Sequence, residues 1–185
     1  YLQTGAIPRQ LSRINTMTKH TQQGFTLLEL LITIAIVGIT MAIAIPSMGE
    51  FIKNDRLTSF RNTLHIDLML AKSKAVERNQ QVIVCASSNG ATCSGDFSQG
   101  WIVAVDTNNS GAIDNADEQL KVQTAITGDI SFNAGALSSI TYDSRGFTPN
   151  SIGTISVCDD RGASHAKTIS ISRTGRISNG ASPSC

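Results

Sequence analysis

Residues Phe25 to Met48 read FTLLELLITIAIVGITMAIAIPSM, with no charged residue between Leu30 and Ile45. At about 1.5 Å per residue, a helix of this length spans roughly 36 Å, more than the ~30 Å hydrocarbon core of a bilayer. A helix buried in a soluble core would show a polar face; here Thr33, Gly38 and Thr40 are the only relief. The stretch therefore predicts a membrane span. Arg9, Arg13 and Lys19 precede it with no acidic residue among them, which keeps the N-terminal side cytoplasmic and sends the rest across the membrane. Glu29 breaks the apolar pattern. A carboxylate there either snorkels to the near interface or needs a partner, and the segment itself offers no cation. A free amine created close by would supply one.

Outside this segment the composition is ordinary. The chain has 185 residues, 41% hydrophobic and 16% charged, enough for one folded domain and an appendage. Fifteen Lys/Arg against 14 Asp/Glu exclude a globally basic nucleic-acid binder and an acidic disordered tail. Fifteen Gly with four Pro exclude collagen-like or proline-rich character.

Gly24-Phe25-Thr26-Leu27-Leu28-Glu29 ahead of a long apolar helix resembles the processing site of type IV pilins and pseudopilins. The resemblance implies that a prepilin peptidase cuts after Gly24 and methylates the new amine of Phe25. It also implies that Glu29, then the fifth residue, pairs with the terminal amine of a neighbouring subunit. Pro46 falls where many family members carry a helix-kinking proline. MTKHTQQG (17–24) is a leader of the family type, whereas 1–16 adds nothing recognisable and reads as an overextended start or a fragment boundary. The rival is a secretory signal cut at Ala42-x-Ala44; the length of the apolar region and Glu29 speak against it. In a bacterium the far compartment oxidises thiols, which agrees with an even number of cysteines.

Beyond Pro46, Leu57, Phe60, Leu64, Leu68, Ala71 and Ala75 fall at helical spacing. The stripe predicts an amphipathic continuation over 49–80, ending near Asn79 and packed on a sheet, with a coiled-coil seam as the other possibility. Lys53, Arg56, Arg61, Lys72, Lys74 and Arg78, with Asp55, Asp67 and Glu77, are expected on its solvated face. From 81 to 185 VIVCA (82–86), WIVAV (101–105), QLKVQ (119–123), ISF (130–132), SITY (139–142), TISVC (154–158) and TISIS (168–172) read as short strands between turns. The expected fold is α+β and pilin-like, a long hydrophobic N-terminal helix followed by a periplasmic antiparallel β-sheet domain. AKSKAVERNQQV, VIVC, GWIVAVDTNNSG and TGRIS resemble minor pilins and pseudopilins of the FimT/GspH kind. That resemblance implies inner-membrane anchoring, other major and minor pilins or pseudopilins and an inner-membrane assembly platform as partners, and service in a pilus or in type II secretion.

Four cysteines allow three pairings. Cys85–Cys93 would close a Gly/Ser/Asn-rich loop, and Cys158–Cys185 would tie down the tail. No Cys-x-x-Cys supports zinc. Asp106, Asn108, Ser110 and Asp114, with Gly111, have the spacing of a calcium loop, but Asp117 stands where Glu is usual and strands flank it; a plain Asn/Gly/Asp turn is the alternative. Lys167, Arg173 and Arg176 lie in a tail without acidic residues from Arg161 onward, a candidate DNA contact set against ordinary surface charge. Some FimT-type minor pilins are implicated in DNA uptake through this end. After Gly24 the chain carries 12 basic and 14 acidic residues, so no global attraction helps. His20, His65 and His165 sit in no nucleophile motif, and no phosphate-binding loop or dinucleotide fingerprint is present; the expectation is a structural subunit without enzyme activity or a required cofactor.

Overall fold

The computed structural model describes residues 24–180 and 183–185, so the expected leader lies outside it as far as residue 23. The chain divides into two units, one ending at Ala44 and one running from Ile45 to Cys185. The helix α1 (Leu27–Arg78) supplies residues to both. Thr26 starts it: its hydroxyl accepts the Glu29 N–H at 3.2 Å, satisfying one donor that the first turn leaves unpaired. Asn79 ends it in a left-handed conformation (φ 52°), and the Gln80 N–H returns to the Ala75 carbonyl at 3.2 Å, which closes the last turn.

Within the first unit every described residue is exposed. The hydroxyls of Thr33 and Thr40 donate back to the carbonyls of Leu30 (2.8 Å) and Val37 (2.9 Å). That bonding removes the cost of carrying a hydroxyl into hydrocarbon.

In the second unit α1 buries Leu57, Leu64, Leu68, Ala71 and Ala75, with Phe60 partly covered. Each large side chain contributes roughly 1.5–3 kcal/mol by leaving water. Among the described residues eight strands follow: β1 (Gln81–Ala86), β2 (Trp101–Asp106), β3 (Glu118–Gln123), β4 (Ser131–Asn133), β5 (Ser139–Tyr142), β6 (Gly153–Cys158), β7 (Lys167–Ile171) and β8 (Ile177–Ser178). They form two antiparallel sheets, ordered β3-β2-β1-β5 and β4-β6-β7-β8. The stripe on α1 thus meets sheets, not another helix. The expected single β run resolves into two sheets, β4 and β7 are each shifted by one residue from their sequence placement, and β8 is too short to have shown in the sequence.

Central strands β1 and β2 are covered on both sides. Val82, Val84, Ala86, Trp101, Val103 and Val105 join the main core beneath α1. Ile83, Cys85, Ile102 and Ala104 form a second cluster capped by Ile113 from the following loop. Coverage on two faces is why VIVCA and WIVAV read as unbroken apolar runs instead of alternating ones. The second sheet contributes Phe132, Ile155, Val157, Ile169 and Ile171 to the main core.

Candidate assembly and binding surfaces

The head of α1 carries the residues expected to direct processing. Gly24 and Phe25 precede the helix, Phe25 is 84% exposed, and Glu29 occupies the first helical turn. A carboxylate there faces the positive end of the helix dipole, a local stabilisation that the sequence reading had not assigned to it. Pro46 lies inside the helix, where it has no N–H for the carbonyl four residues before it.

At the other end of α1, Asp67 corrects the sequence reading. Placed there on the solvated face, it is fully buried. Its carboxylate accepts the Trp101 indole N–H at 2.8 Å and the Lys121 ammonium at 2.6 Å. Trp101 in turn packs against Phe132 (ring centroids 5.7 Å apart) and Phe97 (6.4 Å). The helix side chain therefore holds two side chains of the first sheet, Trp101 and Lys121, and Trp101 carries the contact on to Phe132 of the second. The signal was present: Asp67 stands three residues after Leu64 and four before Ala71, inside the apolar stripe.

Several cations on α1 reach from its solvated face to the β domain. Lys72 donates to the carbonyls of Thr174 (3.3 Å) and Gly175 (3.0 Å), Arg78 pairs with Glu118, and Lys53 pairs with Asp160 at 2.7 Å. Arg161, in the β6–β7 loop, reaches Glu50 (2.6 Å), Asn54 (3.1 Å) and Asp159 (2.6 Å). The bonded Arg161 guanidinium holds the Asp159 carboxyl below its usual range, against the opposing effect of burial.

Cys85 bonds to Cys93 and Cys158 to Cys185. Between β2 and β3 the Asp106 loop folds as a self-capped turn. Asp106 accepts from the backbone of Ser110 (3.0 Å) and Gly111 (2.8 Å), and Asn108 donates to Asp114 (2.9 Å). The Ser110 hydroxyl donates to the Ala112 carbonyl at 2.9 Å. Among the described residues no group of three or more His, Cys, Asp or Glu side chains is placed to hold a metal ion.

The three cations of the tail do not share one place. Arg173 and Arg176 are exposed on the β7–β8 turn, tied to the Asp143–Thr148 loop by the Thr148 N–H on the Arg173 carbonyl (2.9 Å). Arg145 of that loop stacks over Phe147 at 5.4 Å, a neighbour that sequence reasoning missed. Lys167 stands at the opposite end of β7, about 20 Å from Arg173 at strand spacing. His65 is half-buried on α1, His165 is exposed in a turn, and His20 lies outside the described residues.

A long apolar helix headed in this way, followed by two antiparallel sheets, defines a pilin-like membrane-anchored subunit with a globular domain. The family model described as type II transport protein GspH matches residues 61–175, more than half of the chain. A second, the prokaryotic N-terminal methylation motif, matches residues 19–45. The chain belongs to the GspH family, one of structural minor pilins and pseudopilins. Fimbrial protein EcpC of Eikenella corrodens is 44% identical over 46 residues, 25% of this chain and 30% of that protein. Among solved structures, type IV minor pilin FimU of Pseudomonas aeruginosa superposes with a TM-score of 0.56 at 21% identity, over 71% of this chain and 92% of that one. The minor pseudopilin EpsH from the type II secretion system of Vibrio cholerae gives a TM-score of 0.44 at 13% identity, over 71% and 95% of the two chains.

Proposed function

We propose that this chain is a minor pilin-like structural subunit of a type IV pilus. It is made as a precursor, cut after Gly24 and methylated on Phe25 by a prepilin peptidase. The bacterial inner membrane holds it by the apolar helix, with the β domain in the periplasm. An assembly platform then draws it into a filament among other pilins. The observation that carries this reading is the exposure of every residue from Gly24 to Ala44, a stretch that carries no charge after Glu29. Such a surface is stable in lipid, or against the equally apolar helices of neighbouring subunits. Catalysis is left to the peptidase and the assembly machinery.

Intact mass and N-terminal sequencing of the cellular protein test the proposal. The expected chain begins at N-methylated Phe25; retention of the MTKHTQQG octapeptide, or a start after Ala44, overturns it. A type II secretion pseudopilin is the second reading, favoured by the match to the GspH family. Deletion scored for twitching against protein export separates the two. DNA capture is an added role supported by the exposed Arg173 and Arg176 beside Arg145. Gel shift of the full chain in detergent, against R173A/R176A, tests it: equal binding removes the turn from the site.

A further inference from the structure

Lys167 has a neighbour that the sequence does not suggest. With Ala166 and Thr168 it forms the floor of a groove of about 350 Å³ whose walls are Thr58 and Arg61 of α1 and the Asn179–Gly180 segment after β8. That volume is at the small end of ligand-sized clefts. Two cations line it and no carboxylate does. Neither Arg61 nor Lys167 has an ion-pair partner among the described residues; Arg56, Lys72, Arg173 and Arg176 have none either, but Arg61 and Lys167 share one groove.

The groove is held open by its frame. Arg61 is fixed by donating Nη1 to the Asn179 amide oxygen, and its Nε is buried without a hydrogen-bond partner among the described residues. Gly180 lies so close to Ser170, Thr154 and Thr168 that a Cβ would come within 2.7 Å of the Ser170 hydroxyl, and its carbonyl accepts the Thr168 hydroxyl at 2.5 Å. Beyond it the tail is pinned by the Ser184 N–H on Ser156 Oγ (3.1 Å) and by the Cys158–Cys185 bond. A guanidinium and an ammonium facing one cleft repel each other unless an anion lies between them. Arg supplies a planar fork and Lys a mobile point charge, the pair that suits tetrahedral oxygens.

We propose that this groove binds a free phosphate-sized oxoanion, which bridges α1 to β7 and the C-terminal tail. The site is separate from the Arg173–Arg176 turn and does not depend on the pilus assignment.

The test uses the full chain in a neutral detergent, with unfolding followed by the fluorescence of its one tryptophan, Trp101. Inorganic phosphate replaces chloride at constant ionic strength, and equilibrium dialysis with labelled phosphate gives the stoichiometry. The wild type is expected to bind one phosphate and to unfold roughly 5 °C higher at ten times the dissociation constant. R61Q/K167Q is expected to lose binding and the shift, while R61K/K167R keeps part of both and R173A/R176A keeps all. Equal binding by wild type and R61Q/K167Q, or dialysis of the wild type at the level of a chloride-matched blank, overturns the proposal. Should R61Q/K167Q not fold, the single variants K167Q and R61K carry the comparison: undiminished binding by both also overturns it.

Discussion

Asp67 is the side chain at which helix and sheets converge, so its replacement has the largest single-residue effect expected here. In D67A the Trp101 N–H and the Lys121 ammonium lose their acceptor in the core. Stranding a buried donor and half of an ion pair costs about 3 kcal/mol. D67N keeps an oxygen for Trp101 and is expected to lose less. K121M keeps the Trp101 bond but leaves the fully buried Asp67 carboxylate without its counter-charge, so its cost is expected to lie between the two. Denaturant unfolding of the three variants gives the order, and a D67A cost under about 1 kcal/mol would remove Asp67 from this role. Gly175 is a second such position. Its φ is +66°, and an added Cβ would run into the Gly146 carbonyl. G175A is expected to cost at least about 1 kcal/mol and to release the β7–β8 turn from the neighbouring loop, read as faster amide exchange at Thr148.

At the scale of elements, two devices hold the ends of the β domain. The β6–β7 loop fastens Glu50, Lys53 and Asn54 of α1 through Arg161 and Asp160. Asp159 titrates below its usual range because Arg161 bonds to it. Its contribution to stability is therefore complete above the ordinary carboxylate range and is lost as pH falls through the depressed value, below about pH 4. Amide exchange at Glu50–Asn54 should accelerate on acidification through that window. R161Q, which lacks the guanidinium, should show the faster exchange already at neutral pH. Disulfides act on the unfolded chain. Cys158–Cys185 closes 27 residues and Cys85–Cys93 only eight, so chain entropy assigns them roughly 3.5 and 2.5 kcal/mol. C158S/C185S should consequently lower the unfolding midpoint more than C85S/C93S. The reverse order would mean that the short loop is needed to seat Ile113 on the outer face of β1 and β2.

For the whole molecule, the proposed function has anchoring and assembly use one surface for two purposes. Membranes holding the full chain should retain it through alkaline carbonate extraction, since removing so long an apolar helix from lipid is prohibitive. E29A should be retained equally, because the substitution only adds apolar character to the span. It is expected to be depleted from sheared filaments by tenfold or more on immunoblot, having lost the charge proposed to meet a neighbour's terminal amine. Incorporation of E29A at the wild-type level would leave Glu29 with only its local part at the helix dipole.

The sequence alone determined the long apolar helix, the N-terminal methylation motif at its head, the amphipathic continuation and the order of the longer strands. Each depends on residues adjacent along the chain, on a period of 3.6 or on a run that reaches across hydrocarbon. What could not be read locally is where distant segments meet. Asp67 looked like surface charge until Trp101 and Lys121 arrived beside it, 34 and 54 residues further on. β8, two residues long, exists because β7 offers it an edge. Lys167 parted from Arg173 because a strand is extended, and it joined Arg61 because the tail folds back across the sheet. Burial and pairing are properties of three-dimensional neighbourhoods, and only the tertiary structure assigns those.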